Sequence, residues 1–177
     1  MEIGPFKKYK SHGDGAFKSH DFKYLGTNVI FENGVMVFHP ENISIGDNVY
    51  IGHNSILKGY YKNEIAIDDN TWIGQGCFFH GAGGLKIGKA VGIGPMVKIL
   101  TSVHSDTKPR AAVMENELIF REVEIQDGAD IGTGSIILPG VRVEQGAIIG
   151  AGSVVTKNVN AFGVYAGVPA KFLRMRG

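Results

Sequence analysis

Residues 125–160 read IQDGAD-IGTGSI-ILPGVR-VEQGAI-IGAGSV-VTKNVN when broken into sixes. The first position of each six is Ile125, Ile131, Ile137, Val143, Ile149 and Val155. Four residues after most of them stands a small or modest side chain: Ala129, Ser135, Val141, Ala147 and Ser153. A period of six does not fit the 3.6-residue helical repeat. It fits short strands joined by tight turns. The Gly, Asp and Asn between the aliphatics suit corners, where the chain needs positive φ or side-chain-to-backbone bonds. Three sixes close one triangular coil. Coils stack at the ~4.8 Å spacing of paired strands, so the aliphatic residues pile into an interior column.

Outward from this stretch the pattern recurs as IGDNVY-IGHNSI (Ile45, Ile51, then Leu57), IDDNTW-IGQGCF (Ile67, Ile73, then Phe79) and IGKAVG-IGPMVK (Ile87, Ile93, Ile99). Five coils are expected, beginning near residues 45, 67, 87, 125 and 143, with a partial coil before them in residues 25–44. Small corner insertions separate Leu57 from Ile67 and Phe79 from Ile87. Between Ile99 and Ile125 the rhythm is lost for about twenty residues, starting just after His104. Excursions of that length are uncommon in compact domains and tend to carry function.

Composition narrows the function classes. The 177 residues suit a single domain. A net charge of +1 with 20% charged residues marks no nucleic-acid or membrane-surface binder. The single cysteine, Cys77, rules out an intramolecular disulfide framework. The N-terminus lacks an apolar signal stretch, and no run approaches the ~18 apolar residues of a bilayer span, so the expectation is a cytoplasmic protein. Twenty-six glycines are about twice the usual share, which coil corners explain.

The segment IGTGSIILPGVRVEQGAIIGAGSVVTKNVNAFGVYAGVPAKFLR, residues 131–174, closely resembles the C-terminal half of the hexapeptide-repeat acyltransferases. ILTSVHSDTKPR, residues 99–110, resembles the loop of their maltose/galactoside O-acetyltransferase branch, which includes sugar O-acetyltransferases of polysaccharide biosynthesis. The resemblance runs from about residue 40 to residue 177. It implies an all-β, left-handed parallel β-helix, a homotrimer, acetyl-CoA as donor without a metal, and a sugar hydroxyl as acceptor. The chain then divides into an N-terminal segment 1–24, a β-helix 25–167 carrying a loop 105–122, and a short C-terminal helix 168–177.

His104 is the expected catalytic residue. An alcohol is a poor nucleophile at neutral pH, and histidine's pKa of ~6.5 suits a group that takes its proton. The resemblance assigns His104 that role of general base. His80 falls where the branch carries an acceptor-binding asparagine, so it is read as lining the acceptor site or as an ordinary corner residue. Glu115 and Glu117 lie near the family's acidic loop residue, and either would orient the imidazole or bind the acceptor. For the donor, the resemblance points to Thr133, Ala151, Thr156, Lys157 and Arg174. Small residues let an extended arm approach the main chain, an N–H near Thr133 suits a developing oxyanion, and the two cations suit CoA phosphates. His12 and His20 read as solvated, His39 and His53 as structural corners, and Cys77 as packing. Trp72 and Phe78–Phe79 read as core or subunit interface.

Other function classes fare worse. A zinc site of the carbonic-anhydrase type on this fold needs a His-x4-His pair, but Pro109 and Leu85 stand five residues after His104 and His80. An ice-binding helix needs threonine ladders, and the threonines here are scattered. The closer rival is an N-acetyltransferase acting on the amino group of a nucleotide-linked sugar, a nucleophile that needs less help from a protein base.

Overall fold

The computed structural model describes residues 9–108, 110 and 112–177. Three sheets of stacked parallel strands form the walls of a triangular prism. The first wall stacks Tyr24–Leu25, Ile43–Ile45, Ile65–Ile67, Leu85–Ile87, Val123–Ile125 and Arg142–Val143. The second stacks Ile30–Phe31, Tyr50–Ile51, Trp72–Ile73, Gly92–Ile93, Asp130–Ile131, Ile148–Ile149 and Gly163–Gly167. The third stacks Met36–Phe38, Ile56–Lys58, Phe78–His80, Lys98–Ile99, Ile136–Ile137 and Val154–Val155. The stretch expected to hold a partial coil is thus a complete one, with a strand on every wall.

The register reproduces the six-residue columns. Ile45, Ile67, Ile87, Ile125 and Val143 are successive partners on the first wall. Ile51, Ile73, Ile93, Ile131 and Ile149 follow on the second, and Leu57, Phe79, Ile99, Ile137 and Val155 on the third. All of them are buried. The smaller inward residues close the corners. Ser55 Oγ donates to Gly74 O and Ser135 Oγ to Gly150 O, so these buried hydroxyls are satisfied by the neighbouring coil. Cys77 Sγ does the same toward Gly94 O, and burial lifts its thiol to about 11, which makes it a packing residue.

The corners on either side of the second wall each hold one left-handed residue per coil. Between the first and second walls these are Asn28, Asn48, Asn70, Ala90, Gly128, Gly146 and Phe162. Asparagines stack there: Asn28 Nδ2 donates to Asn48 Oδ1 and Asn48 Nδ2 to Asn70 Oδ1. Ala90 breaks that ladder with a φ of 53°.

The outer faces of the walls differ. The first wall turns out Ser44, Ala66, Lys86, Glu124 and Arg142, with ion pairs Lys86–Glu122 at 3.0 Å and Arg142–Glu124 at 2.9 Å. The third turns out a column of Met36, Ile56, Phe78, Lys98, Ile136 and Val154, apolar except for Lys98, with Phe38, Lys58 and His80 beside it on the same outer face. Of the aromatics left open above, Phe79 is core, Phe78 faces outward on the third wall, and Trp72 faces outward on the second, stacked on Tyr50.

The two ends are closed by unlike devices. Phe17, Phe22 and Phe31, with centroids 4.9–5.6 Å apart, plug the first end. At the other end the expected C-terminal helix is absent. Ala170–Met175 is a strand, antiparallel to Gly163–Gly167, with the turn at Gly167 (φ 103°), Val168 and Pro169. The reason is physical: a helix this short is marginal in water, whereas strand 163–167 offers an unpaired edge that a second strand satisfies. Phe172 packs edge-on against Tyr165 at 5.5 Å. Among the described residues the only helical turns are three-residue 3₁₀ segments, and no helix is long and apolar enough to cross a membrane.

Candidate active site

The excursion is an arm that leaves the corner between the third and first walls. Its strands, Ser102–His104 and Leu118–Phe120, pair antiparallel with Ser102 opposite Phe120 and His104 opposite Leu118. The sequence placed the start of the excursion after His104; the structure places it at Ser102, so His104 stands on the arm itself. The arm's root is fixed by Thr101, fully buried, whose Oγ1 donates to His80 O and accepts from Gly83 N at 2.8 Å. Arg121 N returns to Thr101 O at 2.9 Å. Val113–Glu115 forms a short 3₁₀ turn toward the tip.

His104 is half-buried, and its Nδ1 lies 3.2 Å from the backbone O of Asn116. A carbonyl can only accept, so Nδ1 carries the proton and donates it. In its neutral form the imidazole therefore carries its lone pair on Nε2, which is the arrangement a general base needs. Glu115 and Glu117 flank this contact in sequence, and both are exposed. The atom that meets the ring belongs to the residue between them.

His80 faces outward on the third wall beside the arm's root. Its Nδ1 is 3.5 Å from Ser102 Oγ, and its ring lies near Phe78 and Tyr60. Ser102 and His104 project from the same face of their strand, so His80, Ser102 and His104 form a row. Burial, and then the Lys58 ammonium on the neighbouring strand, hold the His80 imidazole below the usual histidine value. Tyr60, from the corner insertion after Leu57, sits 6.3 Å from both His80 and Phe120. Sequence reasoning missed Tyr60 and Asn116. The insertion was the signal for the first, since it opens at the same corner as the arm.

The five donor candidates fall in three places. Thr133 and Ala151 are exposed at the corner between the second and third walls. That corner is stacked so closely that a Cβ on Gly132 would lie 2.5 Å from Ala151 N. Gly132 N and Gly134 N donate to Ile149 O and Pro95 O, while Thr133 N donates to no partner among the described residues. Thr156 and Lys157 are exposed at the corner between the third and first walls, two coils beyond the arm. Arg174 is on the terminal strand opposite Val164. Across the third wall the two corner groups are separated by roughly 15 Å of strand. A concavity of about 550 Å³ lies on the first wall, lined by Ser44, Ala66, Lys86 and Glu124 among others, and holds none of the candidate catalytic, acceptor or donor residues. Among the described residues no three His, Cys, Asp or Glu side chains group as metal ligands would.

Residues 42–59 and 123–157 match the hexapeptide repeat of succinyl-transferase. A Dictyostelium discoideum protein, whose name assigns it provisionally to the acetyltransferases, is 37% identical over 132 residues, covering 74% of this chain and 67% of that protein. A mutant of AntD, an N-acyltransferase from Bacillus cereus in complex with dTDP-4-amino-4,6-dideoxyglucose and coenzyme A, superposes with a TM-score of 0.80 at 23% identity, over 90% of this chain and 87% of that one. A galactoside acetyltransferase in complex with coenzyme A gives 0.63 at 27% identity, over 90% and 68%. A hexapeptide-repeat acetyltransferase of Vibrio cholerae O1 biovar eltor, complexed with acetyl coenzyme A, gives 0.61 at 23%, over 90% and 74%. The shared fold is the all-β, left-handed coil expected above.

Proposed function

The chain belongs to the hexapeptide-repeat acetyltransferases, and from that premise we propose that it moves an acetyl group from acetyl-CoA to a sugar hydroxyl with His104 as general base. The observation that carries this reading is the His104–Asn116 contact, which leaves Nε2 free to take a proton. In the proposed reaction the acceptor hydroxyl attacks the thioester carbonyl as its proton passes to Nε2. The oxyanion of the tetrahedral intermediate is met by a backbone N–H such as that of Thr133. Collapse breaks the C–S bond, and the imidazolium returns the proton to the CoA thiolate.

One prism does not bring these groups together, because Thr133 and Ala151 stand on the far edge of the third wall from His104. Two copies packed with these edges facing do, which supports a homotrimer with the acetyl-CoA arm in the groove between subunits. The mainly apolar outer column of the third wall supports it further, since such a surface suits burial against a partner. Lys157 and Arg174 then serve the CoA phosphates, Thr156 and Ala151 flank the arm, and His80 with Glu115 or Glu117 contacts the acceptor.

The rival reading, transfer to the amino group of a nucleotide-linked sugar, keeps its footing because an enzyme crystallised with that class of ligand shares the fold. One experiment separates them. Sugars and nucleotide sugars are screened with acetyl-CoA for thiol release, and products are located by NMR. An O-acetyl ester is expected. Amide formation on amino sugars, with no ester from any hydroxyl acceptor, overturns the proposal.

A further inference from the structure

We propose that Asn116 is the positioning residue of the base, a role that rests on the reading of His104 given above. Apart from Ser105, Asn116 is the only buried residue among those described in the arm beyond His104, with 7% of its surface exposed, in a stretch otherwise open to solvent. A polar side chain is buried there because it is bonded: Asn116 Oδ1 accepts from Lys108 N at 3.0 Å. That bond ties the outgoing limb of the arm to the returning one past the end of the strand pairing. Asn116 N donates to Val113 O at 3.1 Å and closes the 3₁₀ turn, and Ser105 N donates to Glu117 O at 2.8 Å. The backbone on both sides of Asn116 is therefore pinned, and its carbonyl faces His104 Nδ1. The side chain fixes the peptide, the peptide fixes the tautomer and tilt of the ring, and the ring presents Nε2. No carboxylate is needed for this. A carbonyl partner orients the imidazole but adds no negative charge beside it.

The test is a double-mutant cycle on the full chain, read as kcat for acetyl transfer, with acetyl-CoA KM followed in parallel. Asn116→Ala is expected to lower kcat about 10- to 100-fold, the scale of a displaced catalytic group, with the donor KM unchanged. In a His104→Ala background it is expected to change nothing further. Asn116→Asp keeps an oxygen for Lys108 N and is expected to stay within about threefold of wild type. Nitrogen-15 spectra should show the Nδ1–H form for the imidazole that disappears in His104→Ala, and a mixture of tautomers for that ring in Asn116→Ala. Full activity with an unchanged spectrum in Asn116→Ala overturns the inference. So does a loss that adds to that of His104→Ala, because it reports a structural role for the arm. If His104→Ala itself keeps wild-type kcat, the functional reading fails instead, and the tautomer spectrum still decides whether Asn116 holds the ring.

Discussion

His104 gives Nδ1 to the Asn116 carbonyl at 3.2 Å, and the proposal makes its other nitrogen the proton acceptor. His104→Ala is accordingly expected to lose about 10²–10⁴ in kcat while CoA affinity survives. A folded variant within threefold of wild type would refute the assignment. Lys157→Ala and Arg174→Ala are expected to raise the KM for acetyl-CoA more than they lower kcat, since phosphate contacts are made equally in ground and transition states; unchanged donor KM at low salt would contradict this. His80 carries a pH prediction. Its folded value lies below the unfolded one of about 6.5, through burial first and Lys58 second. As pH falls, the unfolded chain takes up the proton first, so stability is full above about 6.5 and is lost below it, toward the folded value. Urea midpoints should drop between pH 7.5 and 5.5, and less so in His80→Gln; equal drops would count against it.

Among the elements, the corner ladder and the terminal strand show what a sequence can and cannot reveal. The asparagine stack stops at Ala90, held left-handed at a position where asparagine stands in the preceding coils. Ala90→Asn is expected to stabilise the protein by about 1 kcal/mol, by removing a left-handed alanine and offering Asn70 a partner; a Tm at or below that of the parent would show otherwise. The columns from Ile45 to Val155 were legible because inward packing of stacked coils demands the same residue class every sixth position. The terminal strand was not. AKFLRM has no strong alternation, and its pairing depends on an edge at 163–167 that exists only after the coils have formed. The arm was legible as an interruption, and the structure sets His104, the residue singled out from the sequence, on its first strand. Asn116 was not, since its burial comes from the arm folding on itself and no local pattern records that.

For the molecule as a whole, the unlike outer faces are the informative feature. The third wall should be covered by a second copy, and the first should stay in water. Light scattering is expected to report a trimer, and Ile56→Glu, placed on the outer column of the third wall, is expected to dissociate it while leaving the interior columns intact. A monomeric wild type at micromolar concentration, or a trimeric Ile56→Glu variant, would remove the basis for a site shared between copies. The predicted division of labour, base on one copy and oxyanion donor on another, would then also fall.

The unequal corners have a consequence for how the chain finds this shape. Strands made of near-identical rungs are open to frame errors, in which each coil pairs one rung too far along. Here Leu25 meets Ile45, Ile45 meets Ile67, Ile67 meets Ile87, Ile87 meets Ile125 and Ile125 meets Val143, with a different length of chain between partners at most steps. A slipped frame would have to take up the slack of one corner in the place of another, and the arm at Ser102–Phe120 has no other place to go. The same irregularities that build the proposed site therefore act as the notches of a key, admitting one threading of the chain and jamming the rest.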